Sequence, residues 1–488
     1  MAGSEAVLAI DQGTSATKAL VVAPGGDVIG VGRAPVTPRA RGDGGVEQDP
    51  DELLGSVIVA GREALAAAGT EVAGVGLGNQ GETVLAWDPA DGRALGPALS
   101  WQDRRATEVT DELAAHAPRL LELTGLPLDP YFAAPKLAWL RRREQGGIVT
   151  TIDAWVNHRL TGETVTDAAT ASRTLLLDLG RVEWSEEACA LFGLEASDQP
   201  RIVDCDAAIG HTDAFGESLP IAGLAVDQQA ALFAESCFSP GEAKCTYGTG
   251  AFVLATAGPT APRSPAGNAA CVAWRLGGET TYCLDGQVYT AGAAVSWLER
   301  LGLISEAEDL DRLADGAARD PDGVVFVPAL AGLGAPFWTP GARAGWLGLS
   351  LSTERADLVG SLVCGLAAQV AWLARAMESD LSVQLERLRV DGGLTRCRAL
   401  MQTQADLLQA PVELYPSPDA TALGIAALAR LAVGGAQSPE DAVGEWTAAA
   451  TFEPRLNRDR AEERLVRWRN AATALAGLAD GWGERARG

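Results

Sequence analysis

A chain of 488 residues, 47% of them hydrophobic, can bury more than one core and should fold as two domains rather than one. Its formal charge of −25 argues against nucleic acid and anionic membrane surfaces as partners, because both would repel it. The eight cysteines form no C-x-x-C pair and no metal-ligand spacing with the three histidines, so they read as reduced, mostly buried thiols.

The start, Met-Ala-Gly-Ser-Glu, has no basic stretch ahead of an apolar one, which points to a cytoplasmic protein without a secretory signal. Residues 8–22, Leu-Ala-Ile-Asp-Gln-Gly-Thr-Ser-Ala-Thr-Lys-Ala-Leu-Val-Val, then predict strand, tight turn, strand. The turn offers what a nucleotide phosphate needs: backbone N–H groups at Gly13, hydroxyls at Thr14, Ser15 and Thr17, and the ammonium of Lys18. Asp11, at the strand end, can hold Mg²⁺ directly or through water. Ordinary hairpins share this pattern, so the motif alone does not decide. Lysine recurs only at Lys136 and Lys244, a bias that matches a GC-rich genome.

Asp49-Pro-Asp-Glu52 predicts a helix start, with a capping acid and acids in the first turn. Residues 72–78 read as a buried strand running into Asn79-Gln80-Gly81-Glu82-Thr83, a polar cluster at a carboxyl end, where open α/β sheets bind ligands. Ser100-Trp-Gln-Asp-Arg-Arg105 and Leu128-Asp-Pro-Tyr-Phe132 set aromatics beside hydrogen-bonding groups, as carbohydrate sites do. Residues 221–233 predict a strand that ends at Asp227 and continues as a helix; a carboxylate there can face a substrate, or merely cap the helix.

The stretch Lys244-Cys-Thr-Tyr-Gly-Thr-Gly-Ala-Phe-Val-Leu254 repeats the phosphate hairpin with its turn at Gly248-Thr249. Two such hairpins half a chain apart fit two related halves facing one nucleotide, the logic of actin-like ATPases. Residues 328–338 form a Gly/Pro-rich loop with exposed-looking aromatics. The apolar run 358–376 is broken by Ser361, Gln369 and Arg375, which suits a core helix better than a membrane span. Leu388-Arg-Val-Asp-Gly-Gly393 predicts a strand and a diglycine turn opening a helix over 395–409, where bare backbone can lie against an adenine. Residues 420–428 read as a small-residue helix made for tight packing, and 455–476 as an amphipathic closing helix.

The order of these motifs resembles the FGGY carbohydrate kinases, most nearly the glycerol kinases. The matching runs are Asp11-Gln-Gly-Thr14, Asn79-Gln80 with Glu82-Thr83, Trp101-Gln with Arg104-Arg105, Asp129-Pro-Tyr-Phe132 and Ala171-Ser-Arg-Thr174. Asp227-Gln-Gln-Ala-Ala-Leu-Phe233, Thr246-Tyr-Gly-Thr-Gly250, Gly332-Leu-Gly-Ala-Pro336 and Arg389-Val-Asp-Gly-Gly393 continue it. The resemblance implies an α/β fold of two actin-like (ribonuclease H-like) ATPase domains with the active site between them. It divides the chain into 1–240, 241–434 and a helical extension, 435–488, packed on the second domain.

It also implies transfer of the γ-phosphate of ATP to a primary hydroxyl of a small polyol or sugar. By that resemblance Asp227 is the general base, and Asp11 and Asp227 position Mg²⁺. Gly13, Thr14, Ser15, Lys18, Gly248 and Thr249 lie near the phosphates, and Gly392 and Gly393 flank adenine. Gln80, Gly81, Glu82, Trp101, Tyr131, Gln228 and Tyr289 line the substrate pocket. Glycerol kinases carry Arg where this chain has Gly81, so a four- or five-carbon polyol or ketose is expected to match or beat glycerol; the alternative is that Arg104, Arg105 or a water replaces the missing group from another direction. The loop that binds fructose bisphosphate in some glycerol kinases has no counterpart between His211 and Gly223, so that control is not expected. A xylulokinase-type ketopentose kinase and an actin-like ATPase that binds a protein partner are the alternatives; a homo-oligomer is allowed by all three. The polar, aromatic cluster of Glu82, Trp101, Tyr131 and Asp227 counts against the ATPase, which needs no sugar pocket.

Overall fold

The computed structural model describes residues 6–144, 146–317 and 323–479. The Met1–Glu5 segment, read above for a signal, lies outside these residues. Two open sheets of one layout carry the chain. The first contains β1 (Val7–Gln12), β2 (Ala16–Val22), β3 (Val28–Pro35), β4 (Val75–Asn79), β5 (Ala208–Thr212) and β6 (Leu219–Val226), in the order β5-β6-β4-β1-β2-β3. The second contains β7 (Ala243–Tyr247), β8 (Ala251–Gly258), β9 (Ala269–Leu276), β10 (Glu279–Val288), β11 (Leu388–Asp391), β12 (Val412–Leu414) and β13 (Ala450–Phe452), in the order β9-β10-β8-β7-β11-β12-β13.

In each sheet an antiparallel hairpin, β1–β2 or β7–β8, sits at the centre, with parallel strands on one side and an antiparallel strand on the other. The central strands are apolar without alternation because both of their faces are covered; Val7 to Ile10 are all buried. Strand β3, at an edge, alternates buried and exposed residues. The α/β fold of two actin-like halves is thus the one the resemblance implied.

Register decides where the chemistry gathers. In β1 and β4, running parallel, Asp11 lies beside Gly78 and Gln12 beside Asn79; Val226 of β6 lies beside Asn79 from the other side. The carboxyl ends of three strands therefore converge, and Asp227 is the first residue past β6. In the second sheet Thr246 of β7 pairs with Asp391 of β11, which brings the second hairpin next to the diglycine turn.

Helix α1 (Pro50–Ala68) starts as expected, with the Asp49 carboxylate accepting from the backbone N–H groups of Asp51 and Glu52. Short α2 (Ala168–Ser172) packs against β9 of the second sheet. Helix α3 (Asp227–Ala234) leaves β6 directly. Helix α4 (Arg355–Leu381) is the one helix among the described residues long and apolar enough to cross a membrane, yet 72% of its most apolar window is buried in the core of the second half.

Helix α5 (Arg398–Leu408) begins later than predicted. A 3₁₀ turn, Gly393–Arg396, takes the first residues after the diglycine, and Cys397, extended at φ −77° and ψ 99°, separates it from the helix that it caps. Helix α6 (Ala420–Ala432) lies between β12 and β13 of the second sheet in sequence but packs against α3, β6 and β1 of the first half. Gly424 permits that crossing, since a Cβ there would run into the Ala230 carbonyl. Helix α7 (Arg458–Gly477) closes the chain against α4 and α5. The aromatics of the 328–338 loop are half-buried rather than exposed: Phe337 meets the Trp468 ring at 6.2 Å and Trp338 the Phe132 ring at 6.1 Å.

Candidate active site

A cavity of about 160 Å³ lies between the halves, open on one side. Among the residues that line it are Thr14 of the first hairpin, Gly248 and Thr249 of the second, Gly81, Glu82, Trp101, Tyr131, Asp227 and Gln228. Residues predicted from four separate stretches thus meet in one space. The hairpin turn of β1–β2 is closed by Gly13, whose N–H donates to the Ala16 carbonyl at 3.1 Å. The Trp101 indole N–H donates to Thr14 Oγ1 at 2.9 Å, so an aromatic expected on the substrate side is fastened to the turn expected to hold phosphate. Tyr131 and Phe252 meet the Trp101 ring edge-on at 5.9 and 6.3 Å, an arrangement aromatic rings favour.

Glu82 sits at φ 56°, a left-handed backbone rare for a residue with a side chain. The turn after β4 holds it there: the Thr83 N–H donates to the Gly81 carbonyl at 2.8 Å, and Thr83 Oγ1 accepts from the Trp101 N–H at 3.2 Å. Its carboxylate faces the guanidinium of Arg173, with Arg173 Nε–H donating to Glu82 Oε1 at 2.6 Å. Arg173 also pairs with Asp285 of β10 and lines the cavity. Neither Arg173 nor Phe252 was singled out from sequence. Both lie inside motifs read there for the resemblance or for the hairpin, but nothing local told which way their side chains point.

Asp227 heads α3 without acting as its side-chain cap. Its carboxylate accepts from the Gln228 N–H at 2.8 Å. Desolvation in the narrow cleft, then the nearby Glu82 charge, push its carboxyl up to about 6. Asp11 is pushed up to about 7, first by desolvation, then by Asp227 and Asp419, with Lys18 acting against them. Lys18 itself reaches Asp419, at the start of α6, in an ion pair. Buried Lys244, on β7, donates to Gln228 Oε1 at 2.7 Å and to Thr246 Oγ1 at 2.6 Å, holding a predicted substrate residue against the second hairpin.

Three expectations are corrected. Gln80 does not line the cavity: it is buried, its amide donating to Gln48 Oε1 at 3.0 Å and Gln12 Oε1 at 3.3 Å. Tyr289 is set one layer back, its ring 6.2 Å from that of Tyr131 and outside the lining. Arg104 and Arg105 do not stand in for a guanidinium beside Glu82. Arg104 is tied to Asp129 at 2.9 Å, and Arg105 to Asp103 at 2.6 Å and Glu47 at 2.9 Å.

Ser15 is exposed at the hairpin tip, and Gly393 presents open backbone on the far side of the second hairpin. At Gly392 a Cβ would come within 2.5 Å of the Tyr247 carbonyl, and the φ of +92° disfavours any side chain there.

Residues 6–234 match the N-terminal domain of the FGGY family of carbohydrate kinases, and residues 243–433 match its C-terminal domain. The chain belongs to this family. Among its relatives, a glycerol kinase of Aromatoleum aromaticum is 42% identical over 490 residues, covering 96% of this chain and 99% of that one. A glycerol kinase of Bordetella parapertussis is 42% identical over 511 residues, with both chains covered in full. Of solved structures, Plasmodium falciparum glycerol kinase with ADP superposes with a TM-score of 0.90 at 29% identity, covering 97% of this chain and 98% of that one. The xylulose kinase of Rhodospirillum rubrum gives 0.85 at 26% identity, covering 98% and 100%. As an FGGY kinase the chain is an ATP-dependent phosphotransferase acting on an alcohol group.

Proposed function

We propose that this enzyme transfers the γ-phosphate of ATP to a primary hydroxyl of glycerol. The observation that carries the reading is one cavity lined at once by both phosphate hairpins, by the Glu82–Trp101–Tyr131 cluster and by Asp227. The full-length identity to glycerol kinases favours glycerol over a ketopentose as the acceptor.

In this reaction the Asp227 carboxylate accepts the proton of the attacking hydroxyl. The hydroxyl oxygen forms its bond to the γ-phosphorus as the bond to the β–γ bridging oxygen breaks, and ADP leaves. Backbone N–H groups of the two turns and the Thr14 and Thr249 hydroxyls cradle the phosphates, since phosphoryl transfer is achieved mainly by positioning and charge neutralisation. Trp101 and Tyr131 bound the carbon chain, and Glu82 and Gln228 take its hydroxyls.

Mg²⁺ fits this site, held by Asp11 and Asp227: the Asp11 carboxyl is raised to about 7 by burial and two neighbouring carboxylates, the surroundings a divalent cation relieves. When bound it neutralises charge on the transferring phosphate. Eight unpaired thiols and the use of ATP fit a cytoplasmic enzyme.

The test is ADP release by purified protein with glycerol, erythritol and a ketopentose, the product identified by phosphorus NMR. Glycerol should be preferred and yield a phosphomonoester. A ketopentose preferred by tenfold, about 1.4 kcal/mol, would favour the xylulokinase reading. ATP hydrolysis unaffected by any of the three would return the chain to the partner-binding ATPases.

A further inference from the structure

Position 81 contributes no side chain to the pocket, and a Cβ there would already meet Val226 Cγ2 at 3.0 Å. The cation beside Glu82 comes instead from Arg173. Arg173 follows α2 in sequence and is 3% exposed, yet it is part of the cavity lining. Its Nε–H donates to Glu82 Oε1 at 2.6 Å; Nη1 donates to Asp285 and to Cys271 Sγ at 3.2 Å; Nη2 donates to the Tyr131 hydroxyl at 3.3 Å.

A guanidinium has five N–H donors in a rigid fork, one on Nε and two on each Nη. Four are assigned here, and the second N–H of Nη2 has no acceptor among the described residues. Asp285 is fully buried on β10, so the guanidinium is clamped from behind by the second sheet and cannot swing away. Glu82 and Tyr131, its two other partners, are themselves lining residues.

We propose that Arg173 is the specificity-determining residue for the acceptor: it fixes Glu82 and Tyr131 in place and donates its remaining Nη2 N–H to a hydroxyl of a small polyol. A planar fork held by two carboxylates and a phenol reads the spacing of neighbouring hydroxyls, which a lysine ammonium cannot reproduce. The space left at Gly81 is then no invitation to a longer sugar, because Arg173 already supplies the charge that grips a triol. This inference rests on the polyol kinase reading above.

The experiment compares wild type, Arg173→Gln and Arg173→Lys on glycerol and on its deoxy analogues 1,2-propanediol and 1,3-propanediol, with KM for ATP measured in parallel and folding checked by thermal melting. Arg173→Gln should raise the KM for glycerol at least tenfold, about 1.4 kcal/mol, while KM for ATP moves less than twofold. Arg173→Lys should not restore it, and the penalty should vanish for the analogue that lacks the hydroxyl being read. Should Arg173→Gln fail to fold, Arg173→Lys, which keeps the charge, is read by the same criteria. An equal penalty on all three acceptors, or a KM for ATP rising in step with that for glycerol, would overturn the proposal. Wild type inactive on every polyol would instead sink the kinase reading on which it stands.

Discussion

Asp227 is suited to act as a base because its surroundings hold its proton affinity near the working range. A carboxyl at about 6 is ionised at neutral pH yet takes a proton more readily than an ordinary aspartate near 4. The sign follows directly: lowering the pH through 6 protonates Asp227 and removes the base, so kcat/KM for the acceptor should fall on an acid limb with its midpoint near 6. Asp227→Asn should cost about 10²- to 10⁴-fold in kcat and leave ATP binding intact by calorimetry; turnover within about threefold of wild type would end its role as base. Lys18 makes a different demand. Its pairing with Asp419 links strand β2 to the start of α6, so a phosphate drawn to Lys18 must share or displace that partner. Lys18→Ala should therefore weaken ATP without changing the order in which acceptors are preferred, checked by KM for ATP against the acceptor panel. At this scale the sequence was informative for Thr14, Gly248, Thr249 and Asp227, which all face the cavity, and less so for Ser15, exposed at the tip of the same turn as Thr14. It was uninformative for Arg173, whose role depends on Asp285, 112 residues away in the chain.

Among the elements, the two that matter most to the chemistry are the crossing helices α3 and α6. Helix α3 begins with Asp227, and α6 lies across it at Gly424, where the space for a side chain is occupied by the Ala230 carbonyl. Replacing Gly424 by valine inserts three carbons into a helix contact that has no room for one. Overpacking of this kind typically costs 1–3 kcal/mol, and here the strain falls on the helix that aims the base. Gly424→Val should lower the melting temperature and reduce kcat by more than it changes KM for ATP; a variant that melts lower with kcat unchanged would show that α3 is held by its strand β6 alone. The hairpins and α1 were legible because turn and capping chemistry is local. The small-residue character of α6 announced tight packing, but not that the helix would cross to the first sheet, since no local pattern encodes a partner nearly 200 residues upstream. The delayed start of α5 has a local cause that the diglycine concealed. The turn after Gly392 was read as the opening of the helix, whereas it runs as 3₁₀ and stops at Cys397, whose extended backbone makes Arg398 the first helical residue.

At the scale of the whole molecule, two similar sheets need not behave as two independent bodies. The apolar cluster that includes Val7 and Ala9 of β1 also takes in Leu254 of β8, Cys271 of β9, Cys283 of β10, and Ile425 and Leu428 of α6. Both halves thus contribute to one continuous core, and Arg173 ties Glu82 of the first half to Asp285 of the second. A chain of this length usually unfolds in stages, because separate domains have separate cores. Opening either half here would expose apolar surface belonging to the other, at about 25 cal/mol per Å², and would leave the Glu82–Arg173–Asp285 charges unpaired. Coupling of that size favours a shared transition. Calorimetry without ligand should show one heat-absorption peak, in which circular dichroism and tryptophan fluorescence change together. On the proposed reading ATP with Mg²⁺ contacts both hairpins, so it should move the whole peak upward by the linkage expected of a ligand bound only to the folded state, about 2.7 kcal/mol at a hundredfold excess over Kd. Two resolved peaks, with ATP shifting only one, would mean that the shared cluster is too weak to join the halves and that the cleft is lined by two domains folding on their own.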